Sequence, residues 1–448
     1  MTDHLPELLL SSIRDRSGGV HSMEEITDWI DEINKTTTVH IREISLAEDT
    51  FWFYDDVDGV VLNRKRSFFA VRGARFFVDD NFLHEQPVIA QQEIGFLGII
   101  GKVIDGRLHF LMQAKIEPGN VNYVQLSPTL QATKSNFTRA HGGVLPPYFD
   151  YFENAHRYRI IYDQIQTEQA SRFYKKRNRN IILLIDEDIE VLPNFKWMTL
   201  GQLKEMLKLK NLVNMSSRTV LSGLPYLIMQ KEHPITDRHY LADVFLTLNN
   251  YKMLHDTKSV FSPLNQLIDW RADEYGIVSK KEAPFEIRFF DIEIAGREVG
   301  HWTQPLLKAT GTGLFVLPAR EKEGITEYLI KATPEIGSFD SLEMGPAIQW
   351  ESTHVADRDN PVERYVSGLL KKMPDKDVIV DIILSEEGGR FYHEQNRNVI
   401  VRIPYDALPR EALPAEYMWV DLSTLCALIM SSNCLNIQLR NLISLIPI

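Results

Sequence analysis

At 448 residues the chain is too long for one ordinary core, and about 100–200 residues per domain predicts two to four domains. Hydrophobic residues make up 44% and charged residues 25%, the balance of a globular protein that folds throughout. The formal net charge of −12 argues against a nucleic-acid surface, which needs a broad basic face, but leaves room for a small anion held by a local basic cluster.

No stretch approaches the roughly 18 apolar residues of a membrane span, and the N-terminus lacks a basic start before an apolar core. A cytoplasmic protein without membrane contact is expected. The two cysteines, Cys426 and Cys434, would stand about 12 Å apart on one helix, too far for a disulfide, and are expected in the core. The His-Glu pairs at His84 and His393 have Val88 and Arg397 where a zinc helix needs its second histidine, so no metal is expected.

In chain order, LPELLLSSIRDR predicts a short helix stopped by Ser17-Gly18-Gly19. Ser22 caps a second helix with Ile26, Trp29, Ile30 and Ile33 on one face. From Thr37 the pattern changes to apolar or alternating runs separated by Gly and Asp-Gly turns, the signature of a mainly antiparallel sheet, with Asp105-Gly106 as a hairpin. The polar stretch Gln113 to Asn136 follows, dense in Lys, Glu, Asn and Gln between hydrophobic runs. After Pro146-Pro147 come a helix, YFDYFENA, and the run RFYKKRNRNIILLI, basic first and apolar second, like a strand leaving a cleft for a core. Arg172, Arg177 and Arg179 are thereby expected near a rim. Thr199 caps LGQLKEMLKLK, and NLVNMSSRTVLSGL closes an α+β unit.

The order then returns. Trp52 and Trp270, Pro128 and Pro346, and Gln131 and Gln349 all stand 218 residues apart, Gln86-Pro87 returns as Gln304-Pro305, and Arg172-Phe173-Tyr174 returns as Arg390-Phe391-Tyr392. Asn214 with Arg218 returns as Asn436 with Arg440 at an offset of 222. So extended a match implies a tandem duplication. The expected division is a first repeat with the N-terminal helices over 1–224, a helical connector over 225–262, and a second repeat over 263–448.

The runs QPVIAQQEIGFLGII, QAKIEPGNVNYVQLSPTLQATKSNFTRAHGG and RFYKKRNRN, together with the duplication, resemble the NDP-hexose 2,3-dehydratases over nearly the whole chain. That resemblance implies a homodimer, two Nudix-like halves with mixed or antiparallel sheets and flanking helices, and dTDP-4-keto-6-deoxyglucose as substrate, with no cofactor. Nudix hydrolases use a helix bearing Arg-Glu-x-x-Glu-Glu to hold magnesium; the nearest run here, Arg320-Glu321-Lys322-Glu323-Gly324, lacks that spacing. The second copy reads TPEIGSFDSLEMGPAIQW where the first reads EPGNVNYVQLSPTLQA. Its Glu-Pro-Gly is thus expected to be lost, with the working site in the first copy and a vestigial nucleotide pocket in the second.

The implied reaction removes a proton from sugar carbon 3, expels hydroxide from carbon 2 and places negative charge on the carbon-4 oxygen. It requires a base, an acid and a donor to the oxyanion. Lys115 and Glu117 fall on one strand face, two residues apart, and are the expected oxyanion donor and acid or base, against a plain salt bridge. His141 is a further proton carrier or, equally, a structural loop residue. Asn120, Asn122, Gln125 and Gln131, with Gln86, supply uncharged partners for sugar hydroxyls, though each alone suits a turn or cap. Arg177 and Arg179 are expected on the diphosphate. Trp52, beside Phe53 and Tyr54, is expected to stack thymine or to serve the core. Gln304, Gln349 and Arg397 mark the second nucleotide pocket. The competing readings are a catalytically inactive nucleotide-sugar-binding protein and a Nudix-type nucleotide-sugar hydrolase.

Overall fold

Asp105 and Gly106 have φ of 49° and 75° and join the strands Ile94–Ile104 and Arg107–Ile116 in a two-residue hairpin. Positive φ at both positions is the demand of a type I′ turn, and Asp-Gly meets it at little steric cost. Glu323 and Gly324, at 52° and 82°, repeat the turn between Gly313–Lys322 and Ile325–Pro334. The computed structural model describes residues 4–137, 145–232, 238–297 and 299–447, and around each hairpin it has a seven-stranded sheet.

These sheets are mixed rather than wholly antiparallel. Arg177–Ile185 runs parallel to Ile94–Ile104, and Gln395–Arg402 runs parallel to Gly313–Lys322. Parallel partners need a long connection, and in the first repeat residues 105–176 supply it. Two smaller sheets accompany the large ones, antiparallel except for the parallel pair of His301–Ala309 with Phe391–Tyr392, and here the repeats exchange strands. Val39–Ile44, from the first repeat, pairs with Phe285–Ile294 of the second, while Thr257–Ser262 pairs with Ala70–Val78 of the first. The helix Arg238–Leu254 and the strand Thr257–Ser262 lie within the stretch expected as a connector, and they correspond to Met23–Thr36 and Val39–Ile44.

Helix starts follow their caps. Ser22 and Glu25 bond reciprocally in a capping box, as do Thr199 and Gln202, and the side chains of Asn214 and Asn436 cap the last helices of the two repeats. The helices Met215–Leu221 and Ile437–Leu445 pack on each other, and one large hydrophobic core includes residues of both repeats. Two buried arginines stitch this seam. Arg218 donates to Ser385 O at 2.8 Å, and Arg440 donates to Thr167 O in the matching place. Each leaves its own repeat to satisfy a strand-end carbonyl of the other, which an isolated repeat could not provide. Among the described residues no helix is long and apolar enough to cross a membrane.

Candidate active site between the repeats

Glu117 directly follows the strand Arg107–Ile116, and the loop it begins runs into the other repeat. Gly119 N donates to Gly388 O at 2.7 Å, and His393 N donates to Gly119 O at 2.9 Å. A Cβ on Gly119 would stand 1.5 Å from Phe391 O, so only glycine permits this approach. The contact recurs with the repeats exchanged: Gly337 N donates to Ala170 O and Lys175 N to Gly337 O, both at 2.9 Å. Each repeat therefore builds a pocket from its own sheet and closes it with a turn from the other.

In the first pocket Glu117 is buried and its Oε1 lies 3.2 Å from Lys115 Nζ. Gln131 Nε2 donates to Glu117 Oε1 at 3.2 Å and to Glu387 Oε1 at 3.4 Å. The amide cannot flip freely, because its Oε1 accepts from Ser127 Oγ at 2.8 Å and Asn214 Nδ2 at 3.2 Å. Gly389 N donates to Glu387 Oε1 at 2.7 Å, and the Glu387 carboxyl hydrogen-bonds Glu117. Burial works to raise the Glu117 carboxyl, but the Lys115 and Arg297 cations and the bond from Glu387 outweigh it and hold Glu117 below the ordinary range. Burial, then the charge of Glu117, push Glu387 up to about 8, against the Arg390 guanidinium. The two neighbouring carboxyls are thus driven in opposite directions, Glu117 down and Glu387 up. Arg297 Nη1 donates to Ile116 O at 2.9 Å, and Arg390 lies over the Phe69 ring with its Nε unbonded.

The second pocket keeps the frame and changes the chemistry. Glu335 and Gly337 stand where Glu117 and Gly119 do, so the expected loss of Glu-Pro-Gly is corrected: only the proline is replaced, by Ile336. Gln349 Nε2 donates to Glu335 Oε1 at 2.9 Å, and Gln349 Oε1 accepts from Asn436 Nδ2 at 2.8 Å. Thr333 replaces Lys115, however, and Gln169 replaces Glu387. Arg172, the counterpart of Arg390, is clamped by Glu351 at 2.8 and 2.7 Å. Burial, with Glu343 nearby, pushes Glu335 up to about 8.

The raised carboxyl gives a stability prediction. The folded state keeps a proton on Glu335 that the unfolded chain loses near 4.5, so this group's contribution falls as pH rises from about 4.5 to about 8. Urea unfolding at pH 5 and pH 8 should therefore show a larger loss on going to pH 8 for the wild type than for Glu335→Gln.

Several expected site residues lie elsewhere. Trp52 is in the core, with its ring 4.7 Å from Phe69 and only 2% exposure, because its strand turns that face inward; it does not stack a base. Arg179 and Arg397, expected on phosphate, are bidentate partners of Asp163 and Asp381 on the adjoining strands, with contacts of 2.8 and 2.6 Å in each case. Half-exposed pairs of this kind are worth about 1 kcal/mol or less, so Arg179→Ala should leave turnover unchanged and shift the urea midpoint only slightly. Arg177 lies 3.5 Å over the Phe339 ring, against the loop after Glu335, and so borders the second pocket rather than the first.

Gln86 and Gln304 brace the closing turns through Ser171 O and Gly389 O. Gln304 thereby supports the first pocket, not the second. Asn120 bonds Tyr123 O within its own turn. Asn122 bonds Asn211 O and accepts from Gln125, which also donates to Ser385 Oγ of the other repeat at 2.7 Å. His141 lies outside the described residues. Sequence reasoning missed Glu387, Arg390, Arg297, Ser127 and Asn214 as site residues. Setting Glu387 against Gln169 at the offset of 218 would have exposed the first of these.

The comparisons bear on the whole chain. A family model described as NDP-hexose 2,3-dehydratase matches residues 23–224 and 242–446. A dTDP-4-dehydro-6-deoxy-alpha-D-glucopyranose 2,3-dehydratase of Amycolatopsis orientalis is 34% identical over 433 residues, 94% of this chain and 90% of that one. Enzymes of the same name from Saccharopolyspora spinosa and Streptomyces violaceoruber are each 35% identical, covering 95% and 93% of this chain and 91% and 95% of theirs. A solved ADP compounds hydrolase matches 32% of this chain and 74% of its own with 14% identity; its TM-score of 0.19 carries no argument.

Proposed function

The chain belongs to the NDP-hexose 2,3-dehydratase family, a hydro-lyase, and from that membership we propose that it dehydrates dTDP-4-keto-6-deoxyglucose in the pocket that holds Lys115 and Glu117. The observation carrying this choice of pocket is the ionised Glu117 beside Lys115, since the second pocket has Thr333 in place of the lysine and a raised Glu335. Glu117 takes the carbon-3 proton, which the carbon-4 ketone acidifies. Lys115 donates to the carbon-4 oxygen as charge develops there. Loss of hydroxide from carbon 2 leaves an enol, and protonation at carbon 2 gives the 3,4-diketo-2,6-dideoxy sugar nucleotide.

Arg297 and Arg390 suit the diphosphate better than Arg179, because among the described residues neither is within ion-pair distance of a carboxylate. The second pocket, whose side opens into a cavity lined by Lys175, Glu335, Ser338 and Phe339, is read as a binding site without turnover. Each repeat is read as Nudix-like on the strength of its mixed sheet and flanking helices. The second repeat is taken to begin at the helix Arg238–Leu254, within the stretch expected as connector. A homodimer is expected, and sedimentation giving the mass of one chain would exclude it. The free, buried Cys426 and Cys434 fit a reducing cytoplasm.

The experiment is incubation with dTDP-4-keto-6-deoxyglucose in heavy water without added metal or nicotinamide. Loss of water is the expected result, with deuterium at carbon 2 as its marker. An intact sugar with dTDP still bound would reject the substrate.

A further inference from the structure

We propose that Glu387, contributed by the second repeat, is the general acid that protonates the departing carbon-2 hydroxyl in the first repeat's pocket. This rests on the reaction proposed above and deepens it.

The geometry carries the assignment. Elimination needs an acceptor and a donor of protons close together, and Gln131 spans two carboxyl groups, Glu117 at 3.2 Å and Glu387 at 3.4 Å from one Nε2. Glu387 is anchored by Gly389 N, so its second oxygen is the one free to face a ligand or Glu117. The molecule also contains its own control. In the second pocket the glutamate, glutamine and asparagine of the frame persist as Glu335, Gln349 and Asn436, and the arginine as Arg172. Lys115 becomes Thr333 and Glu387 becomes Gln169, and of the other residues around the first pocket Ser127 and Arg297 have Gly345 and Asp79 at the same offset. A frame common to both pockets serves folding or ligand shape; the groups present in one alone are those a reaction in that pocket needs. Two neighbouring carboxyls driven apart in proton affinity divide naturally into base and acid, Glu117 being held down and Glu387 pushed up by burial and by the charge of Glu117.

The step balances. The carbon-3 proton passes to Glu117, the C3–H electron pair becomes the carbon 2–carbon 3 double bond, and the C2–O pair leaves on oxygen with the proton of Glu387 to form water. Glu387 is then ionised and Glu117 protonated. Transfer of the enol hydroxyl proton to Glu387 and, after exchange of the Glu117 proton with solvent, of a proton from Glu117 to carbon 2 yields the ketone and restores both groups.

A substrate whose leaving group needs no proton tests this. In Glu387→Gln, with dTDP affinity unchanged, water loss from dTDP-4-keto-6-deoxyglucose should fall by about 10²–10⁴. Fluoride release from the 2-deoxy-2-fluoro analogue should stay close to the wild-type rate. Equal losses on both substrates would make Glu387 structural, and no loss on either would remove it from the reaction. A wild type that processes neither sugar would instead reject the substrate reading itself.

If the variant does not fold, the wild type supplies the second measurement. Glu117, Arg390, Glu168 and Lys176 surround Glu387, and Lys176 is itself brought down to about 8 by burial. Titration of Lys176 would affect both sugars, whereas ionisation of Glu387 should give an alkaline loss for the hydroxyl substrate that the fluoro analogue lacks. Identical profiles would overturn the proposal.

Discussion

Glu117→Gln is expected to lower kcat by about 10²–10⁴ while leaving dTDP affinity near wild type. The substitution keeps the shape, so Gln131 retains a hydrogen-bonding neighbour, but an amide cannot accept the carbon-3 proton. The pH dependence follows from the direction of the shift. Glu117 acts when ionised, and its carboxyl is held below the ordinary 4.5. The acid limb of kcat/KM should therefore fall below pH 4.5, with activity lost as pH drops through it. Lys115→Met removes the largest charge opposing the burial of Glu117, so it should move that limb upward besides removing the oxyanion donor. Full turnover in Glu117→Gln would end its role as base, and an unmoved limb in Lys115→Met would show that the ammonium does not set the carboxyl.

Gly119→Ala should cost about 3 kcal/mol or more of stability, at or beyond the upper end of ordinary overpacking. The new methyl would collide with Phe391 O, a backbone atom paired into the other repeat, and no side-chain rotation relieves it. Gly106→Ala is the contrasting control. It sits in the open hairpin with nothing near its Cβ position and a φ of 75°, so about 1 kcal/mol is expected from the backbone alone. Urea unfolding of the two variants distinguishes them. Equal losses would mean that the 117–120 loop moves away from the other repeat at little cost, and with it the pairing of Glu117 with Glu387.

Much of this architecture was legible locally. Ser22, Thr199 and Asn214 sit before helices because their side chains cap exposed N–H groups, and Asp105-Gly106 turns because few other pairs accept two positive φ angles in succession. Lys115 and Glu117 meet because side chains two apart on a strand share a face. What is not legible locally has an equally physical origin. The guanidinium fork of Arg179 suits a phosphate, but Asp163, sixteen residues away in sequence, lies opposite it on the neighbouring strand and takes up that fork. Trp52 suits a base or a core equally well by type, and only the sheet that covers it turns its ring inward.

The sequence by itself determined the duplication, the turns, the caps and the Lys115–Glu117 pair, all of which depend on spacing within a strand, a turn or a single offset. Only the tertiary structure decided which turn closes which pocket. Exchange of Val39–Ile44 and Thr257–Ser262, the reach of Arg218 and Arg440 across the seam, and the contacts of Gly119 and Gly337 place 168–177 against the second repeat's sheet and 386–395 against the first's. Glu387 thus meets Glu117 across 270 positions of chain, a proximity that no periodicity encodes, because it depends on how two buried surfaces pack rather than on neighbours along the backbone.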